Sequence, residues 1–242
     1  MRQCPGALQA RTIIQYYAVA KSRKDVPGVK IPRSTAKRLP LYYRCLAEMR
    51  ERGVAVVSSQ ALSSKAGIEA AIIRKDLSCF GELGKRGVGY NVDFLYRAVA
   101  RILKVEEQRE IVVVGGGKLG QAWVEYMARY GENFHVAAVF DGCPAEVQAA
   151  VPGVPVLPLD ELYNFVRARK IEMAVLTTKA EEARTVVTEL VRAGIRGILN
   201  FAPVALDVPE GVRVIDCDFM GKLQSLACCL GGSDDRVALN RR

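Results

Sequence analysis

Histidine is almost missing from this chain: His135 stands alone among 242 residues. Metal sites built on imidazole and nucleophile sets of the Ser-His-Asp or Cys-His kind therefore lack their side chains, and His135, beside Phe134 at the start of an apolar run, reads as structural. Cysteine is present seven times, at Cys4, Cys45, Cys79, Cys143, Cys217, Cys228 and Cys229, but the number is odd and no pair has CxxC spacing. Neither a zinc cluster nor a disulfide framework is indicated, and the thiols read as reduced small hydrophobes. A thiol sensor using Cys143 or Cys217 stays open as a rival reading. No apolar run approaches the roughly 20 residues that span a bilayer, and residues 1–30 hold no signal-peptide core. The expectation is a soluble, cytoplasmic protein with no membrane and no metal partner. There is also no P-loop lysine motif and no catalytic acid-base pair, so the chain is expected not to be an enzyme.

What is present is unevenly distributed. Residues 1–100 carry 18 Lys and Arg against 7 Asp and Glu, a net of +11, whereas 101–242 carry 17 against 19, a net of −2. Basicity confined to one part favours a polyanionic partner for that part, and half of all residues are apolar, enough for two cores. Four segments are expected: a basic, poorly ordered extension over 1–30, a winged-helix DNA-binding domain over 31–104, a nucleotide-binding domain over 105–218, and a terminal helix and tail over 219–242.

In the basic part, Leu39, Tyr42, Tyr43, Leu46 and Met49 recur at helical spacing from a cap at Ser34 to Gly53. Pro40 either marks the regular start of that helix or kinks its first turn. Ser58 and Ser59 open a short helix through Lys65, Gly67 supplies a left-handed exit, and a second helix covers about Glu69–Cys79. Its expected inner face is Ala71, Ile72, Leu77 and Phe80; its outer face is Arg74, Lys75 and Ser78. With Ser59 these form a basic helix-turn-helix surface, and Lys85, Arg86 and Gly87 lie in a glycine-rich wing suited to phosphates or a minor groove. The bland alternative is a solvated basic face. Asn91 caps a helix through Leu103, and a charged linker follows.

Strand and helix signals then alternate: strands at Glu110–Gly115, Phe134–Asp141, Val154–Leu157, Met173–Thr178, Gly197–Phe201 and Val212–Cys217. Helices fall between them, at Lys118–Tyr130, Pro144–Val151, Asp160–Lys170 and Glu181–Ala193. The implied fold is α/β, a Rossmann-type doubly wound parallel sheet. Gly115, Gly116, Gly117, Lys118, Leu119 and Gly120 match GxGxxG between a strand and a helix, and Asp141 ends the next strand, placed to accept ribose hydroxyls and repel a 2′-phosphate. This favours NAD over NADP; the alternative is another nucleotide, such as that of coenzyme A, in an enzyme with an accessory basic domain. Thr177, Thr178, Asn200, Phe201 and Ala202 end strands on the ligand side, or are ordinary polar strand ends. The last helix, Met220–Leu230, shows an apolar stripe that must be covered by its own sheet or by a second subunit.

Several stretches resemble the Rex family of redox-sensing transcriptional repressors, in that family's order: IPRSTAKRLPLYYRCL, VSSQALS, IRKDLSCFGELGKRGVGYNV, VVGGGKLGQA, AGIRGILNFAP and LQSL. The resemblance covers about Lys30–Leu230. It implies a homodimer with a swapped C-terminal helix, a palindromic double-stranded operator, and NAD+/NADH as the sensed cofactor, NADH releasing the DNA. It further implies Arg86 as the wing arginine, Arg74 and Lys75 on the recognition helix, and Phe219 near the partner's nicotinamide. Arg44, Tyr126 and Asp218 match a switch that responds to nicotinamide charge. The chain departs from the family pattern at Thr178 and Lys179, after the strand threonine.

Overall fold

The computed structural model describes residues 31–80, 83–85 and 87–231, so the expected extension over 1–30, Arg86 and the tail from 232 lie outside the described residues. The chain divides into two compact units between Lys104 and Val105. No helix among the described residues is long and apolar enough to cross a membrane.

The first unit is a winged helix. Helix α1 spans Arg33–Glu51, strand β1 Val56–Val57, α2 Ser59–Ala66, α3 Ala70–Ser78, β2 Gly84–Lys85, β3 Gly89–Asn91 and α4 Val92–Leu103. Local chemistry sets most of these limits. Ser58 caps α2 by accepting the Ala61 N–H at 3.0 Å, Gly67 ends it at φ +66°, and Asn91 caps α4 by accepting the Phe94 N–H at 2.8 Å. Helix α1 begins one residue before the expected cap at Ser34 and runs through Pro40. Pro40 and Ala36 are both exposed, so the carbonyl that the proline leaves unpaired is open to water. The three strands pair antiparallel in the order β1-β3-β2, and the core joins Leu39, Tyr42, Leu46, Leu62, Ile73, Leu77, Leu95 and Val99.

One expectation needs correction. The face of α3 is rotated from the reading above: Ile73 and Asp76 are buried with Leu77, while Ala71 is exposed and Ile72 half-buried. Asp76, which that reading assigned to neither face, is part of the core, for the reason given below.

The second unit is a parallel sheet with helices on both faces. Its elements are β4 Arg109–Val114, α5 Lys118–Tyr130, β5 Phe134–Asp141, α6 Pro144–Gln148, β6 Val156–Pro158, a short 3-10 turn Leu159–Glu161, α7 Leu162–Arg169, β7 Met173–Leu176, α8 Ala180–Ala193, β8 Gly197–Asn200, β9 Arg213–Asp216 and α9 Phe219–Gly231. The strand order is β6-β5-β4-β7-β8-β9, every pair parallel. Alternate residues of β4 feed opposite cores: Val112 and Val114 pack with Leu162, Val166, Val187 and Leu190, and Ile111 and Val113 with Val124, Val136 and Val147. The crossover order reverses between β4 and β7, and a crevice at the carboxyl ends of these strands is where such sheets take ligands.

Helix α9 does not pack on its own sheet. Phe219, Met220, Leu223, Leu226 and Leu230 are all more than half exposed within the chain, so the reading that its own sheet covers the apolar stripe is corrected.

Candidate functional site

In the first unit the exposed side of α3 carries Arg74, Lys75 and Ser78, all on its outer surface. Arg74 donates from Nη1 to the Ser59 hydroxyl at 3.0 Å, which ties the guanidinium to the first turn of α2. The Ser78 hydroxyl donates to the Lys75 carbonyl at 2.7 Å. In the wing, Gly84 lies under the Tyr90 ring, where a Cβ would come within 2.6 Å of it, and exposed Gly87 turns at φ +80° with open space around it. Lys85 belongs to β2; Arg86 lies outside the described residues.

Asp76 fixes α3 to the rest of the unit. Its carboxylate accepts from the Thr35 hydroxyl at 2.8 Å, from Arg38 Nε and Nη2 at 2.7 Å each, and from the Tyr42 hydroxyl at 2.7 Å. Burial alone pushes the Asp76 carboxyl up, but the hydrogen bonds from Arg38, Tyr42 and Thr35 outweigh it and hold the carboxyl below its ordinary value. In return, Asp76 raises the Arg38 guanidinium, while burial, then Asp76, raises the Tyr42 hydroxyl. A spacing rule assigns polar residues to the outside, so sequence alone missed this anchor.

In the second unit the glycine loop after β4 is shaped residue by residue. Gly115 has φ +102°, and a Cβ there would lie 2.8 Å from the Thr177 carbonyl carbon; a Cβ at Gly120 would lie 2.0 Å from the Gly115 carbonyl oxygen. These two let the α5 start press against the strands. At Gly116 a Cβ would meet Val147, but at Gly117 it would meet nothing within 4 Å. Gly117, Lys118 and Leu119 are exposed, and the start of α5 has no side-chain cap. An open backbone at an uncapped helix N-terminus is a cradle for a phosphate group.

Asp141, at the end of β5, accepts from the Gly116 N–H at 2.6 Å and the Cys143 N–H at 2.8 Å, which holds its carboxylate at the rim of the loop. On the other side the Thr177 hydroxyl bonds the Val114 and Gly115 carbonyls at 3.1 and 2.7 Å, so Thr177 supports the loop rather than facing outward. Gln121, which the sequence reading did not single out, donates to the Gly116 carbonyl at 2.7 Å and braces the same loop.

Asn200 is fully engaged: its amide donates to the Val204 carbonyl at 3.0 Å and to Asp216 at 2.8 Å, and its oxygen accepts the Ala202 N–H at 2.9 Å. Both Asn200 and Ala202 are buried. Their place is therefore beneath the loop after β8, setting its path, instead of on a ligand-facing wall. Phe201 is half-buried and its ring lies 5.7 Å from that of Phe219. Asp218 accepts the Gly221 N–H at 2.8 Å and so caps α9. Tyr126 is exposed on α5 and leans on Tyr130, and Arg44 is exposed on α1 in the first unit. Cys217 is half-buried and burial raises its thiol, which works against a reactive thiolate; Cys143 is exposed.

Comparison with known proteins sharpens the chemistry. Residues 30–78 match the family described as "Putative DNA-binding protein N-terminus", and residues 106–204 match "CoA binding domain". The Redox-sensing transcriptional repressor Rex 1 of Thermotoga maritima is 44% identical over 188 residues, 77% of this chain and 90% of that protein. The crystal structure of RSP in complex with beta-NAD+ and operator DNA is 32% identical, with a TM-score of 0.77 over 83% of this chain and 92% of that one. RSP in complex with beta-NADH is 31% identical, with a TM-score of 0.73 over 86% and 95%.

Proposed function

Since this chain belongs to the Rex family of redox-sensing transcriptional repressors, we propose that it represses transcription by binding a palindromic operator as a homodimer in the cytoplasm, and that NADH, in preference to NAD+, releases it. The observation that carries this reading is the pairing of an anchored basic reading helix with a dinucleotide cradle in one chain. The cradle fits the cofactor: open Gly117, the uncapped α5 N-terminus and rim-held Asp141 suit a pyrophosphate followed by an adenosine ribose. Bound there, the nicotinamide supplies a positive ring in its oxidised form and a neutral one when reduced.

The chain's own residues set what that charge difference acts on. Asp218 caps α9 immediately before Phe219, and Phe219 rests against Phe201. A cationic ring near this corner draws on the Asp218 carboxylate and competes with its capping bond, whereas a neutral ring leaves the cap in place. The apolar stripe of α9, more than half exposed in the single chain, supports a second copy as its cover, and sedimentation of the full chain reads the resulting mass. The resemblance to the family also names Tyr126 and Arg44 for this switch; each is exposed within its own unit. The family's members are named as repressors, which supports a binding role without turnover.

Two results are expected. Arg74→Ala weakens operator binding about tenfold or more, the loss typical of one base-edge or phosphate contact, at unchanged NADH affinity. Operator binding by fluorescence anisotropy and NADH binding by calorimetry check both halves, and retained operator affinity removes Arg74 from the interface. Asp141→Ala weakens NADH about tenfold or more, because charge-assisted hydrogen bonds to the ribose are lost, and narrows the preference over NADPH. Parallel titrations with NADH and NADPH read this, and identical values for variant and parent take Asp141 out of the ribose site.

A further inference from the structure

We infer that the Thr178 side-chain hydroxyl is a hydrogen-bonding partner for the ribose on the nicotinamide side of the dinucleotide. The inference rests on the dinucleotide reading above and adds to it one residue and the half of the ligand it meets. Thr178 follows β7 at its carboxyl end, and its Oγ1 is buried without a hydrogen-bond partner among the described residues. Buried hydroxyls are almost always paired, so an unpaired one at a ligand crevice marks a partner still to come. The neighbouring Thr177 hydroxyl is already committed to the Val114 and Gly115 carbonyls. Thr178 is thus the hydroxyl left over at this strand end.

Topology says which part of the ligand it meets. Strand β4, carrying the glycine loop, lies between β5, which ends in Asp141, and β7. A dinucleotide with its adenosine ribose at Asp141 and its pyrophosphate on the glycine loop continues across the end of β7 before it reaches Phe201 and Phe219. Thr178 abuts that loop, since a Cβ at Gly115 would lie 2.9 Å from its backbone nitrogen. The residue is only half-buried while its oxygen is enclosed, and a step of about 120° between staggered χ1 wells carries the hydroxyl to the position now held by the methyl or by the Cβ hydrogen, the route by which it comes to face the ligand. A hydroxyl both donates and accepts, as ribose hydroxyls do, whereas the phosphate oxygens are met by the N–H groups that open α5.

The test is Thr178→Val in the full chain, with calorimetric titration of NADH, ADP-ribose and ADP and with thermal melting of the ligand-free protein. NADH and ADP-ribose are each expected to weaken about tenfold, the size of one hydrogen bond, with ADP unchanged and the ligand-free midpoint equal to or above the parent's. Thr178→Ser, which keeps the hydroxyl, is expected to restore NADH affinity to within about twofold of the parent's, and a Ser variant as weak as Val assigns the effect to packing. Unchanged NADH affinity in Thr178→Val overturns the inference. So does an equal loss for ADP, or a loss for NADH that spares ADP-ribose, because each places the contact on another part of the ligand. A parent protein that binds none of the three ligands overturns the dinucleotide reading itself.

Discussion

Asp76→Ala is expected to destabilise the DNA-binding unit by about 3 kcal/mol, since it removes the acceptor from a buried network and leaves the Tyr42 and Thr35 hydroxyls unpaired. The figure sits at the low end for a broken buried pair because Arg38 is 28% exposed and regains water. For a unit of this size that corresponds to a fall in its melting midpoint of about 10–20 °C. The pH dependence has a definite sign. The Asp76 carboxyl is held below its unfolded value, so its contribution is complete above the ordinary carboxylate range, about pH 4, and is lost as pH falls through the lower folded value. Asp76→Asn keeps the shape without the charge, and is expected to fall between parent and alanine variant at neutral pH and to lose this part of the acid sensitivity. Circular dichroism melts from pH 7 to pH 3 give all three curves; an alanine variant within about 1 kcal/mol of the parent, with the same acid limb, leaves the network without the weight given to it. Because the network holds α3 to α1, operator affinity falls with it.

The two ends of the glycine motif are expected to fail in different ways. A methyl group at Gly120 meets the Gly115 carbonyl oxygen at 2.0 Å, backbone that cannot swing aside, so Gly120→Ala pushes α5 from the strands. Both the melting midpoint of the unit and NADH affinity drop, the latter by about a hundredfold or more as the cradle loses its shape. At Gly117 the same methyl meets open space, so Gly117→Ala melts like the parent. Its NADH affinity nevertheless falls by a similar factor, because the added group occupies the path by which a pyrophosphate approaches the backbone. Calorimetry and melting on the two variants separate these effects. A Gly117→Ala protein with parental NADH affinity shows that the phosphates lie elsewhere.

How much of this was legible in the sequence follows from the range of the interactions. Ser58, Gly67 and Asn91 act on backbone groups within three or four residues, so their caps were readable from spacing alone, and the GxGxxG loop with Asp141 after the next strand is local in the same sense. Asp76 was passed over because its partners Thr35, Arg38 and Tyr42 lie 34 to 41 residues earlier, and helical periodicity carries no record of them. Asn200 was read as a wall of the site for a related reason: its bond to Asp216 reaches across sixteen residues to the neighbouring strand. The stripe on α9 was plain in the sequence, but a stripe does not name the surface that covers it. Pro40 shows the opposite limit, a local rule overridden because the carbonyl it frees faces water.

The most direct measurement titrates NADH and NAD+ separately against the full chain bound to a fluorescent operator duplex, selected from random-sequence DNA on the ligand-free protein. A ligand shifts the bound state only by its difference in affinity for the two states, so the two nicotinamides must act unequally. NADH is expected to lower operator affinity by at least about tenfold at concentrations where NAD+ leaves it intact. Operator affinity that ignores both, or that both lower alike, contradicts a sensor of the nicotinamide redox state.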